Sequence, residues 1–176
     1  EYFDINRREQ LVLGALLHDL GKLVIPTKVM NKATKLEDKL EDIVNRFKLI
    51  DLKYKVEWLE GKITEAEYKE KSEELNRIKE LVIKVNASGF LPDETKEELE
   101  KDFKLSYVNG EETIPYFTEE EKEDLLIKKG TLTERERLIM ESHVEVTERI
   151  LNKVHFQANY MEAPRFAVEH HECLNG

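Results

Sequence analysis

Cysteine is almost missing from this 176-residue chain: Cys173 stands alone, so no intrachain disulfide can form. A chain of this length can bury a real core without disulfides or a structural metal. The near-absence of thiols points to a reducing, cytoplasmic setting. Glycine (7) and proline (4) are scarce, which disfavours a turn-rich sandwich or barrel and favours long helices. No window approaches the ~18 consecutive apolar residues of a membrane span, and nothing near the start resembles a secretory signal. Net positive charge is lacking too: 28 basic side chains against 38 acidic ones leave −10. So acidic a surface fits neither a nucleic-acid polymer nor an anionic membrane, and neither is expected as a partner. An anionic small substrate held by bound cations stays open. The chain starts at Glu1 without Met and ends at His170-His171-Glu172-Cys173-Leu174-Asn175-Gly176, inside what reads as a motif. A piece of a longer protein is therefore expected, with a sensory domain or even a membrane anchor elsewhere in the parent.

What is present is helical periodicity. Val12, Ala15, Leu16 and Leu20, broadened by Leu13 and Leu17, predict a well-buried helix over 5–20 that Gly21 breaks before an extended Leu23-Val24-Ile25-Pro26. Leu36, Leu40, Ile43, Phe47, Ile50 and Tyr54 predict a long helix over 36–59. After Gly61, the capping box Thr64-x-x-Glu67 opens a second, with Tyr68, Leu75 and Val82 on one seam and Lys71, Ile78 and Val85 on the other. Together they read as an antiparallel αα-hairpin. It is either solvated or, through 36–86, a surface for homodimerisation or for docking a sensory domain. Asp93 is placed as the cap of a short helix reaching Phe103. Asn109-Gly110 marks a small β-hairpin between 105–108 and 113–117. Three more capping boxes follow, Thr118-x-x-Glu121, Thr133-x-x-Glu136 and Ser142-x-x-Glu145. The last opens a helix over 143–154 with Val146, Ile150, Leu151 and Val154 inward. Pro164 suits the first turn of a final helix. The fold class is all-α, with one hairpin excursion.

Metal-type ligands collect at three places: His18-Asp19, with Lys22 one turn on; His143, at a helix start; and His170-His171. An ionisable pair directly after Leu16-Leu17 is costly unless paired or coordinated. Neighbours on an α-helix point about 100° apart, so each adjacent pair suits two close ions better than one. Imidazoles with a carboxylate and open positions fit iron, manganese or zinc. Singly, each signal has a bland reading as a hydrogen-bonded core histidine or a chance surface pair. His155 has no second ligand near it and reads as structural, and Cys173 reads as a small buried thiol. The joint order, each at a helix end, is more specific.

Leu16-Leu17-His18-Asp19-Leu20-Gly21-Lys22-Leu23-Val24-Ile25-Pro26 resembles the His-Asp segment of HD-domain metal-dependent phosphohydrolases, closest to the HD-GYP subfamily. Lys129-Gly130-Thr131-Leu132-Thr133, Met140-Glu141-Ser142-His143 and His170-His171-Glu172-x-x-Asn175-Gly176 resemble that subfamily's later motifs. Asn175 replaces its usual Asp. The resemblance covers roughly 8–32 and 125–176. It implies an HD-type helical bundle over 1–32 and 125–176, incomplete at both ends, interrupted by a helical insertion over 33–124 that ordinary members lack.

The activity implied by the resemblance is phosphodiester hydrolysis of a cyclic dinucleotide, foremost cyclic di-GMP, in bacterial signalling. Carried over residue by residue, His18, Asp19, His143, His170 and His171 are the metal ligands, for two or three divalent ions, iron or manganese foremost. Asp19 bridges ions and serves catalysis. Lys22 contacts the phosphate or assists proton transfer. Two alternatives stay open: a non-catalytic metal- or nucleotide-binding signalling module working through its insertion, and an HD hydrolase of nucleoside monophosphates or RNA ends.

Overall fold

The computed structural model describes residues 4–172. Cys173, Asn175 and Gly176 lie outside them. In chain order the helices are α1 (Ile5–Leu17), α2 (Thr27–Met30), α3 (Lys39–Leu59), α4 (Glu65–Asn86), α5 (Asp93–Asp102), α6 (Glu119–Leu125), α7 (Glu134–Glu141), α8 (His143–Leu151) and α9 (Ala163–Val168). Strands β1 (Ser106–Asn109) and β2 (Glu112–Pro115) lie between α5 and α6, and 3₁₀ turns occupy Leu20–Val24, Ala158–Tyr160 and Glu169–His171. The fold is thus mostly α with a small β-hairpin, as the composition predicts. Among the described residues no helix is long and apolar enough to cross a membrane. Contacts divide the chain into two compact units, 32–133 and the combination of 1–31 with 134–176.

In the first of these, the long-helix periodicities become buried seams. Ile43, Phe47, Ile50 and Tyr54 of α3 pack with Leu75, Ile78, Val82 and Val85 of α4. Each such side chain contributes about 1.5–3 kcal/mol by leaving water. The turn between them uses Gly61 at φ 74°, and Thr64 and Glu67 form the reciprocal capping box. Leu91, Leu99, Tyr116, Phe117 and Leu125 complete this core. Residues 125–133, which the motifs group with the histidines, pack in this unit: Leu91 N–H donates to the Lys128 carbonyl and Gly130 N–H to that of Gly89. The unit's two ends are tied together, Thr131 Oγ1 donating to the Lys32 carbonyl at 2.9 Å.

Two details depart from expectation. Pro92, not Asp93, precedes the first turn of α5, leaving Asp93 inside the helix, where its charge faces the positive end of the dipole. The β-hairpin pairs Asn109 with Glu112, so the two-residue loop is Gly110-Glu111 rather than Asn109-Gly110, with Gly110 at φ 67°.

Most buried charge in this unit is satisfied by geometry, the exception being Asp51 Oδ1 on α3, which is buried with no hydrogen-bond partner among the described residues. The Arg46 guanidinium donates a two-pronged fork to Glu121, both contacts at 2.8 Å, and a third bond to the Tyr116 carbonyl. Glu121 also accepts from Thr118 N–H, closing the box that starts α6. Lys35 is fully buried, and its ammonium donates to the Ile127 carbonyl at 2.7 Å.

The second unit is held by close backbone approach. Val12 and Leu16 were expected inside, yet both are largely exposed, Leu16 by 74%. The buried face of α1 centres on Gly14 instead, because α1 lies almost against α9: a Cβ on Gly14 would stand 2.7 Å from Phe166 Cβ. Gly21 lies in a 3₁₀ turn, Leu20–Val24, that replaces the expected extended stretch at Leu23-Val24, and it too marks contact, since a Cβ there would fall 1.9 Å from the His143 carbonyl oxygen. Ser142 does not cap α8. Its hydroxyl donates back to the Ile139 carbonyl, and α7 runs into α8 through a single-residue break. The α8 seam is His143, Thr147 and Leu151, with Val154 beyond the helix end and exposed. Pro164 lies in the first turn of α9 as expected.

Burial holds the Lys35 ammonium below the usual lysine range. Between that lowered value and about 10.4 the unfolded chain binds more protons, so this group makes stability rise with pH there. Lys35→Met should abolish that part of the rise. Thermal melts of both proteins from neutral to alkaline pH check it, and parallel profiles would show that burial does not depress the Lys35 ammonium.

Candidate metal centre

Three segments of the second unit converge. The C-terminal end of α1 brings His18 and Asp19, the start of α8 brings His143, and the 3₁₀ turn after α9 brings His170 and His171. His18 and His170 rings lie 4.8 Å apart between centroids, His143 and His170 5.8 Å, His143 and His171 5.3 Å, and His170 and His171 3.9 Å. All five expected ligands are therefore brought together. The adjacent pairs do not splay as neighbours on an α-helix would. Asp19 lies just past the end of α1 at φ −104° and ψ 11°, and the His170 and His171 rings approach to 3.9 Å although successive residues of a 3₁₀ turn point about 120° apart. His155 is exposed and takes no part.

Hydrogen bonds set the tautomers. His18 Nδ1 lies 2.6 Å from the Ala15 carbonyl, His143 Nδ1 2.6 Å from that of Met140, and His170 Nδ1 2.7 Å from that of Ala167. A carbonyl only accepts, so each Nδ1 carries the proton, and in the neutral ring Nε2 keeps its lone pair. Metal-ligating histidines are commonly oriented in this way. Here the same three-residue step back recurs three times.

Three of these inward-facing atoms, His143 Nε2, His170 Nε2 and Asp19 Oδ1, are buried and make no hydrogen bond among the described residues. His143 Nε2 is 3.6 Å from Asp19 Oδ1, and His18 Nε2 is 3.1 Å from Asp19 Oδ2. Acceptors facing acceptors at such distances repel unless a cation or proton lies among them. Two sets of three ligand atoms, each mutually within 4.8 Å, arise here: His143, His170, His171, and His18, Asp19, His170. The donor set is imidazole and carboxylate, so these residues fit a divalent transition metal.

Charge supports the same arrangement. Burial alone would raise the Asp19 carboxyl. The hydrogen bond from Lys22 Nζ at 2.8 Å and the charge of that ammonium act against it, and Asp19 is held below the usual carboxylate range. Burial, joined by the neighbouring imidazoles, holds His170 below the usual histidine range despite its Ala167 bond, which keeps its Nε2 free to ligate near neutral pH.

Thr147 escaped the motif reading, and Gly21 was read there without its contact role. Thr147, fully buried one turn after His143, accepts from Gly21 N–H at 2.9 Å and donates to the His18 carbonyl at 3.2 Å. It ties the His-Asp turn to α8. Its i+4 spacing from His143 was the available signal. Gly21 is needed because no side chain fits between its backbone and that of His143.

Comparison of the chain with protein-family models, curated proteins and solved structures returns no match.

Thr147→Val keeps the shape but strands Gly21 N–H and the His18 carbonyl. It should lower stability by about 1–3 kcal/mol and weaken divalent-metal binding about 10–100-fold. Calorimetric titration with Mn²⁺ beside thermal melts tests this. Unchanged affinity with a lower melting temperature would confine Thr147 to the fold.

Proposed function

We propose that this chain is a metal-dependent phosphodiesterase of HD type, acting on a cyclic dinucleotide, cyclic di-GMP first among them. The observation that carries the reading is the convergence of Asp19 Oδ1, His143 Nε2 and His170 Nε2, buried and without partners among the described residues, beside a lysine. The order of the His-Asp, His and His-His motifs along the chain supports the same class. His18, Asp19, His143, His170 and His171 would hold two or three divalent ions, iron or manganese foremost. When bound, such ions supply Lewis acidity, bringing the pKa of water from about 15.7 toward about 7 and offsetting phosphate charge.

The chain's own residues do the rest. The three backbone-anchored imidazoles keep their lone pairs turned inward, so little reorganisation accompanies binding. The Asp19 carboxylate, kept ionised, has one oxygen toward His18 and the other toward His143, a disposition suited to bridging. Lys22 Nζ is half-exposed at the rim and already paired to Asp19. From there it can donate to a non-bridging phosphate oxygen or pass a proton to the leaving ribose oxygen. An acidic protein thereby presents a cationic patch to an anionic substrate.

The purified chain, loaded with Mn²⁺ or Fe²⁺, should convert cyclic di-GMP to the linear dinucleotide or to GMP, read by chromatography. Asp19→Ala should lose metal, by elemental analysis, together with turnover, while its helical circular dichroism persists. A folded Asp19→Ala protein with full metal content would overturn the assigned centre. Turnover of nucleoside monophosphates alone would move the reading to another HD hydrolase, and metal binding without any turnover to a binding module.

A further inference from the structure

The solvent side of α3 carries a second apolar seam that the hairpin core does not use. Leu49, Leu52, Val56 and Leu59 follow in steps of three, four and three, the a/d spacing of a coiled coil. They are 67%, 56%, 50% and 69% exposed, while the opposite face of the same helix, Ile43, Phe47, Ile50 and Tyr54, is buried. Four large apolar side chains in line on one helix form a patch of the kind that marks an interaction site.

The edges of this seam identify its occupant. One edge carries Arg46 and Lys53, the other Lys48 and Lys55, with Glu60 beyond them already paired to Lys62 at 2.6 Å. Arg46 is spent on Glu121, but Lys48 has only a 3.4 Å contact to Asn45 and Lys53 a 3.7 Å contact to Glu57. On a chain of net charge −10 this local excess of lysine stands out. A second copy is a poor occupant. Parallel pairing sets Lys48 against the other Lys53 and leaves as its one attractive edge pair Lys55 with a Glu60 already held by Lys62, and antiparallel pairing sets the Lys48 and Lys55 edges against each other. The seam also spans only two heptads before Asn45 and Asp42 interrupt it, against about three or four in a self-sufficient coiled coil.

We infer that α3 is a docking face for an acidic amphipathic helix of a partner protein. The partner's apolar stripe covers Leu49, Leu52, Val56 and Leu59, and its Glu or Asp edges meet Lys48, Lys53 and Lys55. This inference is independent of the metal centre.

The probe is a fluorescent helix of about three heptads with Leu at a and d and Glu at e and g, and a twin with Lys replacing Glu. Anisotropy titrations with the full chain should show the Glu peptide binding roughly ten-fold tighter or more at low salt, the gap closing as salt screens it. Leu52→Gln should weaken binding of the Glu peptide, and the triple reversal K48E/K53E/K55E should invert the preference. Lys48, Leu52 and Lys55 are exposed and Lys53 is half-buried, so circular dichroism should be unchanged for Leu52→Gln and is the control for the triple reversal. Equal binding of the twins, or none, overturns the proposal. So does a wild-type dimer in sedimentation that Leu52→Gln dissolves, which makes the occupant a second copy. Co-pelleting with phosphatidylserine vesicles that Leu52→Gln abolishes makes the occupant a membrane and likewise overturns it.

Discussion

A histidine offers a metal one nitrogen only if something else holds the other, and this requirement organises the histidine-bearing unit. His18, His143 and His170 each give Nδ1–H to the carbonyl three residues back, so each ring is oriented by its own turn of helix rather than by a distant partner. The inward direction of the lone pairs therefore depends on where those helix turns lie. α1 must approach α9 through Gly14, and the His-Asp turn must touch α8 through Gly21 and Thr147. Backbone contacts this close leave little play, which is what a preorganised site requires.

The helical seams were legible because they repeat. Ile43 to Tyr54 and Leu75 to Val85 obey one period over several turns, and the Thr64 and Thr118 boxes are formed as their spacing implies. The five ligands were legible because type and order persist even when the partners are far apart in sequence. What escaped was information carried by absence of a side chain or by competition. Gly14 and Gly21 read as breaks in a pattern, whereas each permits a neighbouring backbone to come close. The apolar run of α1 read as a core face, yet short-range periodicity cannot say which side of a helix meets a partner, and Val12 and Leu16 face solvent. Ser142 fits a capping box on paper, but α7 continues almost unbroken into α8, and its hydroxyl is drawn to the Ile139 carbonyl.

Charge acts differently in the two units. Around Asp19 it is concentrated, with one carboxylate set among imidazoles and a lysine. In the unit of 32–133 it is distributed and matched, Arg46 to Glu121, Arg77 to Asp102, Lys32 and Lys39 to Asp124. Those pairs are satisfied by fixed partners and have nothing left to offer a ligand. What sets the Asp19 cluster apart is that three buried acceptors without partners among the described residues converge there, whereas Asp51 Oδ1 on α3 stands alone.

The tie between Thr131 and the Lys32 carbonyl brings entry and exit of the 32–133 unit within a single hydrogen bond of each other. A module whose ends meet can be spliced into a host chain, or lifted out and bridged by a short linker, without stretching the backbone on either side of the cut. Its own core, caps and ion pairs travel with it. Neighbouring ends and a separate core are the anatomy of an inserted segment.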